Sequence, residues 1–212
     1  MIDILKGRRP AFLASVTSAA EASLVLAGGA DVIDCKDPLA GAFGAVPEAV
    51  VREIVGGVAG RLPVSATVGD LPPQPSVLVD AAERMAATGV EIVKVGFFGD
   101  EDARPAISVL GKAKLGRARL VAVLMADQAP DFDLVPHFAA NGFAGVMLDT
   151  ANKAAGRLPT VLPANELSKF VLLARKSGLM SGLAGSLRLE DIAPLASLGS
   201  DVLGFRGALC ET

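Results

Sequence analysis

Gly28-Gly-Ala-Asp31-Val-Ile-Asp34-Cys-Lys36 reads as a helix stop followed at once by a buried β-strand with a charge at its far end. The pattern recurs. After Gly89 comes Glu91-Ile-Val-Lys94-Val, and after Gly142 comes Gly145-Val-Met-Leu-Asp149; Gly178 and Gly199 precede two more apolar runs. Working outward, the runs Ala11–Val16, Asp31–Lys36, Val64–Val68, Ile92–Gly96, Leu120–Met125, Ala144–Asp149, Met180–Ala184 and Asp201–Phe205 predict strands. Helices are predicted at Ser18–Ala27, Pro47–Val58, Ser76–Thr88, Glu101–Lys114, Phe132–Asn141, Pro163–Ser177 and Leu189–Leu198. Strands alternating with helices imply parallel pairing through crossovers, and eight such units imply a closed (β/α)₈ TIM barrel. No helix candidate follows the last strand, so a full eighth helix is not expected. No linker interrupts residues 1–212, which read as one domain. Leu71–Pro75 is a rigid loop after the third strand, either a lid element or an ordinary connection.

Composition narrows the function classes. Hydrophobic residues make up 51% of the chain, too many for a disordered one. With no Trp or Tyr, the core must come from Val, Leu, Ile, Ala and Phe. A net charge of −3 without a basic block argues against nucleic acid as a partner. No apolar stretch approaches the ~18 residues of a membrane span, and Met1–Pro10 lacks a signal-like core, so a cytoplasmic protein is expected. Two cysteines do not make a disulfide framework. Cys35 alternates with Asp34 and Lys36, so it should face away from them as a small buried hydrophobe.

Charges at strand ends are the chemical signal, because buried charge requires partners or purpose. Active sites of such barrels lie at the C-terminal strand ends, where Lys36, Lys94 and Asp149 fall. Parity puts Asp34 on the face of Lys36, and Arg206 shares a face with Gly204. Alternate strands fill one interior layer, so Asp34, Lys36, Lys94, Asp149 and Arg206 are expected to converge, with Lys153 just beyond. Among apolar neighbours Lys36 should lose basicity by desolvation, and mutual repulsion should lower the pKa of at least one lysine. A neutral amine attacks an aldehyde or ketone to give an imine, and a second lysine can move protons. The alternative is a structural ion-pair network.

The loops after the last two strands read Ala184-Gly185-Ser186-Leu187 and Phe205-Arg206-Gly207-Ala208. Barrels often bind phosphate in these two loops, through glycine-opened backbone N–H groups and a cationic fork. Gly185, Ser186, Arg206 and Gly207 are therefore candidates for a substrate phosphate. The same tripeptide also suits any tight turn. Asp70 faces the pocket or caps the next helix, and Asp127 and Gln128 share that ambiguity. His137 falls inside a helix and reads as a surface or packing residue. One His and two distant Cys make no zinc site, and Gly56–Gly60 is not a dinucleotide fingerprint.

The segments Gly28–Pro38, Val64–Asp70, Val93–Gly96, Met147–Thr150 with Lys153, Leu183–Ser186 and Gly204–Cys210 resemble those of the (5-formylfuran-3-yl)methyl phosphate synthases, also called 4-(hydroxymethyl)-2-furancarboxaldehyde-phosphate synthases. The resemblance runs from about Ala11 to Cys210. It implies a TIM-barrel lyase that joins two glyceraldehyde 3-phosphate molecules with loss of phosphate and water. The product would feed the biosynthesis of methanofuran, or of its relative in one-carbon metabolism. By resemblance Lys36 is the Schiff-base lysine and Lys94 the proton acceptor, with Asp34, Asp149 and Lys153 as companions. No cofactor or metal is implied. The resemblance also implies a basic segment and final helix beyond the Gly-Ala-Leu-Cys210 motif, whereas the sequence ends at Thr212. An apolar flank there makes a homo-oligomer plausible. Rival readings are another Schiff-base aldolase or triose-phosphate lyase and, in a different class, a non-catalytic phosphosugar-binding barrel.

Overall fold

The structure, a computed structural model, describes residues 9–98 and 102–210. Eight strands, β1 (Ala11–Val16), β2 (Val32–Cys35), β3 (Val64–Thr67), β4 (Ile92–Phe97), β5 (Arg119–Met125), β6 (Gly145–Asp149), β7 (Met180–Leu183) and β8 (Val202–Phe205), pair in parallel in chain order, and β8 closes on β1. The helices are α1 (Ala19–Ala27), α2 (Glu48–Val58), α3 (Pro75–Ala86), α4 (Arg104–Leu110), α5 (Leu134–Ala140), α6 (Leu158–Val161), α7 (Ala164–Lys176) and α8 (Ile192–Ser197). This is the TIM barrel read from the alternation. Among the described residues, β8 is followed by a 3₁₀ turn, Gly207–Leu209.

Most differences from the expected elements lie at their ends. Lys36 sits one residue past β2, whose paired span is Val32–Cys35. Helix α4 is shorter than expected, and its predicted start at Glu101 lies outside the described residues. The expected Leu189 start of α8 is a 3₁₀ turn, Leu189–Asp191, that leads into the helix. Helix α6 was not foreseen, because four residues between Arg157 and the Leu162-Pro163 step carry no period.

Strand parity splits the apolar residues into two cores. Ile33, Cys35, Val93, Val95, Val146 and Leu148 point outward and pack against the helices. Val32, Ile92, Val121, Val123, Met147, Met180 and Val202 point inward and fill the barrel. Cys35 is fully buried in the outer core, as expected. Inside, Met180 occupies space opened by Gly145 and Met147 space opened by Gly182; a Cβ at either glycine would collide with the methionine. The predicted helix stops at Gly29, Gly89, Gly142, Gly178 and Gly199 all have left-handed backbones, which only glycine adopts without strain.

Acids stitch neighbouring segments together at both ends of the barrel. At the N-terminal end, Asp31, Glu91 and Asp201 accept the N–H groups of Phe12, Val64 and Ser181 on the preceding strands. At the C-terminal end, Asp70 accepts from Ala42 and Phe43, and Asp127 from Ala151 and Asn152. Asp70 and Asp127 therefore brace the loops after β2 and β6, a role outside either alternative offered by the sequence. Paired backbone donors leave these loops ordered beside the strand ends where the charges lie. No helix among the described residues is long and apolar enough to cross a membrane.

Candidate active site

The strand-end charges converge. Lys94 Nζ donates to Asp34 Oδ2 at 2.7 Å, and Lys36 Nζ donates to Asp149 Oδ2 at 2.6 Å. Asp34 is fully buried and also accepts from Ser15 Oγ at 2.9 Å and Ser65 Oγ at 2.6 Å. The register explains this, because Ser15 and Ser65 are its Cα partners on β1 and β3. Three donors on one carboxylate fix its plane. Asp149 accepts the Thr150 N–H on its other oxygen at 2.8 Å. The two ion pairs differ in access. Side-chain exposure is 5% and 1% for Lys94 and Asp34, against 11% and 12% for Lys36 and Asp149.

Lys36 departs from the expected loss of basicity. Burial pulls its pKa down, but the charge and hydrogen bond of Asp149, with the charges of Asp34 and Asp70, outweigh burial and raise it. The resting group is an ammonium. Asp149 can take its proton across the 2.6 Å contact, so the partner that charges the amine can also release it. Cys35 behaves oppositely: burial, then the Asp34 charge, push its thiol up to about 12 against the pull of Lys94, which leaves it inert at neutral pH.

Both pairs open on a cavity of about 720 Å³ at the C-terminal end of the barrel. Ser15, Asp34, Lys36, Lys94 and Asp149 form its floor, and Gly185, Ser186, Arg206 and Gly207 are on its wall. Gly185 and Ser186 both have positive φ, so the turn after β7 is tightly folded there. Arg206 lies where the sequence put it, but its guanidinium is not open to a ligand. It grips Glu21 through two contacts, 2.6 and 3.1 Å, and donates to the Ser15 carbonyl. The Glu21 hydrogen bond raises the Arg206 pKa and holds Glu21 below the usual carboxylate range. Lys153 opens a 3₁₀ turn just before the cavity-lining Gly156, and its side chain lies outside the described residues. Asp70 is not on the cavity wall, and His137 is exposed on α5.

Several participants were missed from sequence. Ser15 and Ser65 had a legible signal, since each is the polar residue of an apolar run at inward parity. Arg157 and Arg188 line the cavity without any motif to mark them, and Thr150 lines it at the end of a segment in which only Asp149 was singled out. Phe43 lies in an irregular loop, yet its ring sits 5.3 Å from Lys36 Nζ and 5.6 Å from Lys94 Nζ.

Along the sequence, the chain matches a known family. The model of the 4-HFC-P synthase family matches residues 12–212. The chain belongs to this family. A family member from Methanopyrus kandleri, named (5-formylfuran-3-yl)methyl phosphate synthase, is 39% identical over 96% of this chain and 90% of its own length. A Methylorubrum extorquens relative, provisionally given the same name, is 43% identical over 98% of this chain and 85% of its own. Family membership makes the chain an enzyme of the synthase type. Among solved structures, a deoxyribose phosphate aldolase from Aeropyrum pernix superposes with a TM-score of 0.66 at 16% identity, covering 97% of this chain and 88% of its own. A phosphoenolpyruvate phosphomutase from Streptomyces platensis gives 0.70 at 14%, covering 97% and 79%. These two share the barrel alone.

Proposed function

We infer that this enzyme condenses two molecules of glyceraldehyde 3-phosphate to (5-formylfuran-3-yl)methyl phosphate through an imine on Lys36, acting as a carbon–oxygen lyase. The observation that carries the reading is the juxtaposition of two amines, each on its own carboxylate, on the floor of one cavity. It is supported by the family to which the chain belongs and by the names of its relatives.

The geometry suits the chemistry step by step. Asp149 takes a proton from Lys36 as the amine adds to an aldehyde carbon, and returns it to the departing hydroxyl as the imine forms. The iminium draws electrons from the adjacent carbon and acidifies its proton. Lys94, once it has passed a proton to Asp34, removes that proton to give an enamine. The enamine carbon adds to the aldehyde of the second triose. Phosphate is eliminated, the ring oxygen closes onto the iminium carbon and expels the Lys36 amine, and dehydration aromatises the ring; with the water lost at imine formation, one phosphate and two waters leave for each furan formed. Gly185, Ser186 and Gly207 supply backbone donors for a substrate phosphate. Arg206 contributes charge from the wall while its fork stays with Glu21.

The expected partner is thus a phosphorylated triose, with neither nucleic acid nor membrane involved. The product would enter methanofuran-type cofactor synthesis in the cytoplasm, and self-association through the flank near β8 accords with the apolar composition. Incubation with glyceraldehyde 3-phosphate alone tests the reaction. A furan chromophore should grow in step with inorganic phosphate, at one phosphate per furan. A sugar phosphate without chromophore would make the protein an aldolase, and unchanged substrate would make it a binding barrel.

A further inference from the structure

The loop after β2 carries a device that neither the ion pairs nor the phosphate wall explains. Phe43 is fully buried, and both amines lie within the range at which a cation is drawn to an aromatic face. Three segments converge to fix this one ring. Asp70 accepts the Phe43 N–H at 2.6 Å and the Ala42 N–H at 2.8 Å. The Gly44 carbonyl accepts from Thr67 Oγ1 at 2.8 Å and from the Asp37 N–H at 3.0 Å. A Cβ on Gly41 would collide with the Asp70 carboxylate, and one on Gly44 with the Asp37 carbonyl, so the loop can lie this close only with glycine at both positions. On the far side Gly96 makes the room: a Cβ there would lie 3.2 Å from the Phe43 ring and 2.7 Å from that of Phe98. Phe98 meets Phe43 edge-on at 6.5 Å.

Filling this space needs only an apolar side chain, and leucine would do it. What an aromatic adds is a negative π-cloud, here approached by two cations that otherwise repel each other. We propose that Phe43 is a positioning residue for the catalytic pair: its ring, braced by Asp70, holds the Lys36 and Lys94 amines together and favours their cationic forms. It sets the pH at which the amine becomes available, and so the acid limb of turnover. The other charges facing Lys36 are Asp34 from β2, Lys94 from β4, Asp149 from β6 and Asp70 from the β3 loop. Arg157, Arg188 and Arg206 stand on the cavity wall, paired with Glu190 and Asp191, with Glu190, and with Glu21.

The consequence for turnover rests on the reading of Lys36 as the imine-forming residue; the effect on the amines does not. The test is therefore made on the intact protein without substrate. Lys36 and Lys94 are labelled with acetic anhydride across a pH series, and the extent at each is read by peptide mass. Phe43→Leu should move the Lys36 midpoint down by about half to one pH unit. A trifluorinated phenylalanine placed at position 43 keeps the shape but drains the ring face, and it should give a shift in the same direction at an unchanged melting temperature. If Phe43→Leu fails to fold, the fluorinated protein decides alone. Midpoints that stay at the wild-type value in the fluorinated protein overturn the proposal, whether or not Phe43→Leu moves them, because the ring would then act by shape alone. If no imine forms on Lys36 in any variant, the functional reading fails while the labelling result stands.

Discussion

The two lysine–aspartate pairs share chemistry and differ in surroundings. Lys94–Asp34 is nearly sealed at the base of the cavity, and its carboxylate has three donors. Lys36–Asp149 faces the cavity, and Asp149 Oδ2 accepts only the amine among the described contacts. The sealed pair is the polar centre around which β1, β2, β3 and β4 are organised. The open pair can exchange its proton and admit a carbonyl carbon. Depth separates a pair that only moves protons from one that also bonds to substrate, because desolvation strengthens each contact and also restricts access.

The largest stability effect should follow from breaking the sealed pair. Asp34→Ala leaves Lys94, Ser15 and Ser65 without their shared acceptor, and removing one partner of a buried pair costs about 3–5 kcal/mol. Asp149→Ala should cost clearly less, because the Lys36 ammonium can turn to cavity water. Urea unfolding of the two variants checks this, and equal losses would erase the distinction between the pairs.

A smaller effect concerns pH. The folded-state pKa of Lys36 is raised, so its contribution to stability is full below the unfolded value of about 10.4 and is lost as pH rises through the folded value. Wild type should therefore lose stability relative to Lys36→Met only above about pH 10. A relative gain between about pH 8 and 10 would instead mark a lysine of depressed pKa, as its burial alone would produce.

The barrel was legible because helix stops, apolar runs and strand parity are local signals. Parity also placed Asp34, Lys36, Lys94 and Asp149 together, since residues of alternate strands meet inside a closed sheet. What parity cannot give is who pairs with whom. Lys36 was expected to lose basicity among apolar neighbours, and that expectation failed because Asp149, 113 positions away, stands 2.6 Å from it. Arg206 was read as an open fork, but Glu21 from α1 closes on it across the β8–β1 seam. Phe43, and the clamp that Asp70 makes on its loop, escaped for the same reason: a contact between two irregular loops has no periodicity to betray it.

Borohydride reduction in the presence of glyceraldehyde 3-phosphate, followed by peptide mass analysis, tests the central claim most directly. A reduced triose-phosphate adduct should appear on Lys36 in wild type, vanish in Lys36→Ala and persist in Lys94→Ala, whose turnover should fall by about 10²-fold or more. An adduct that survives Lys36→Ala, or that resides on Lys94 in wild type, would contradict the assignment of the reacting amine to the open pair.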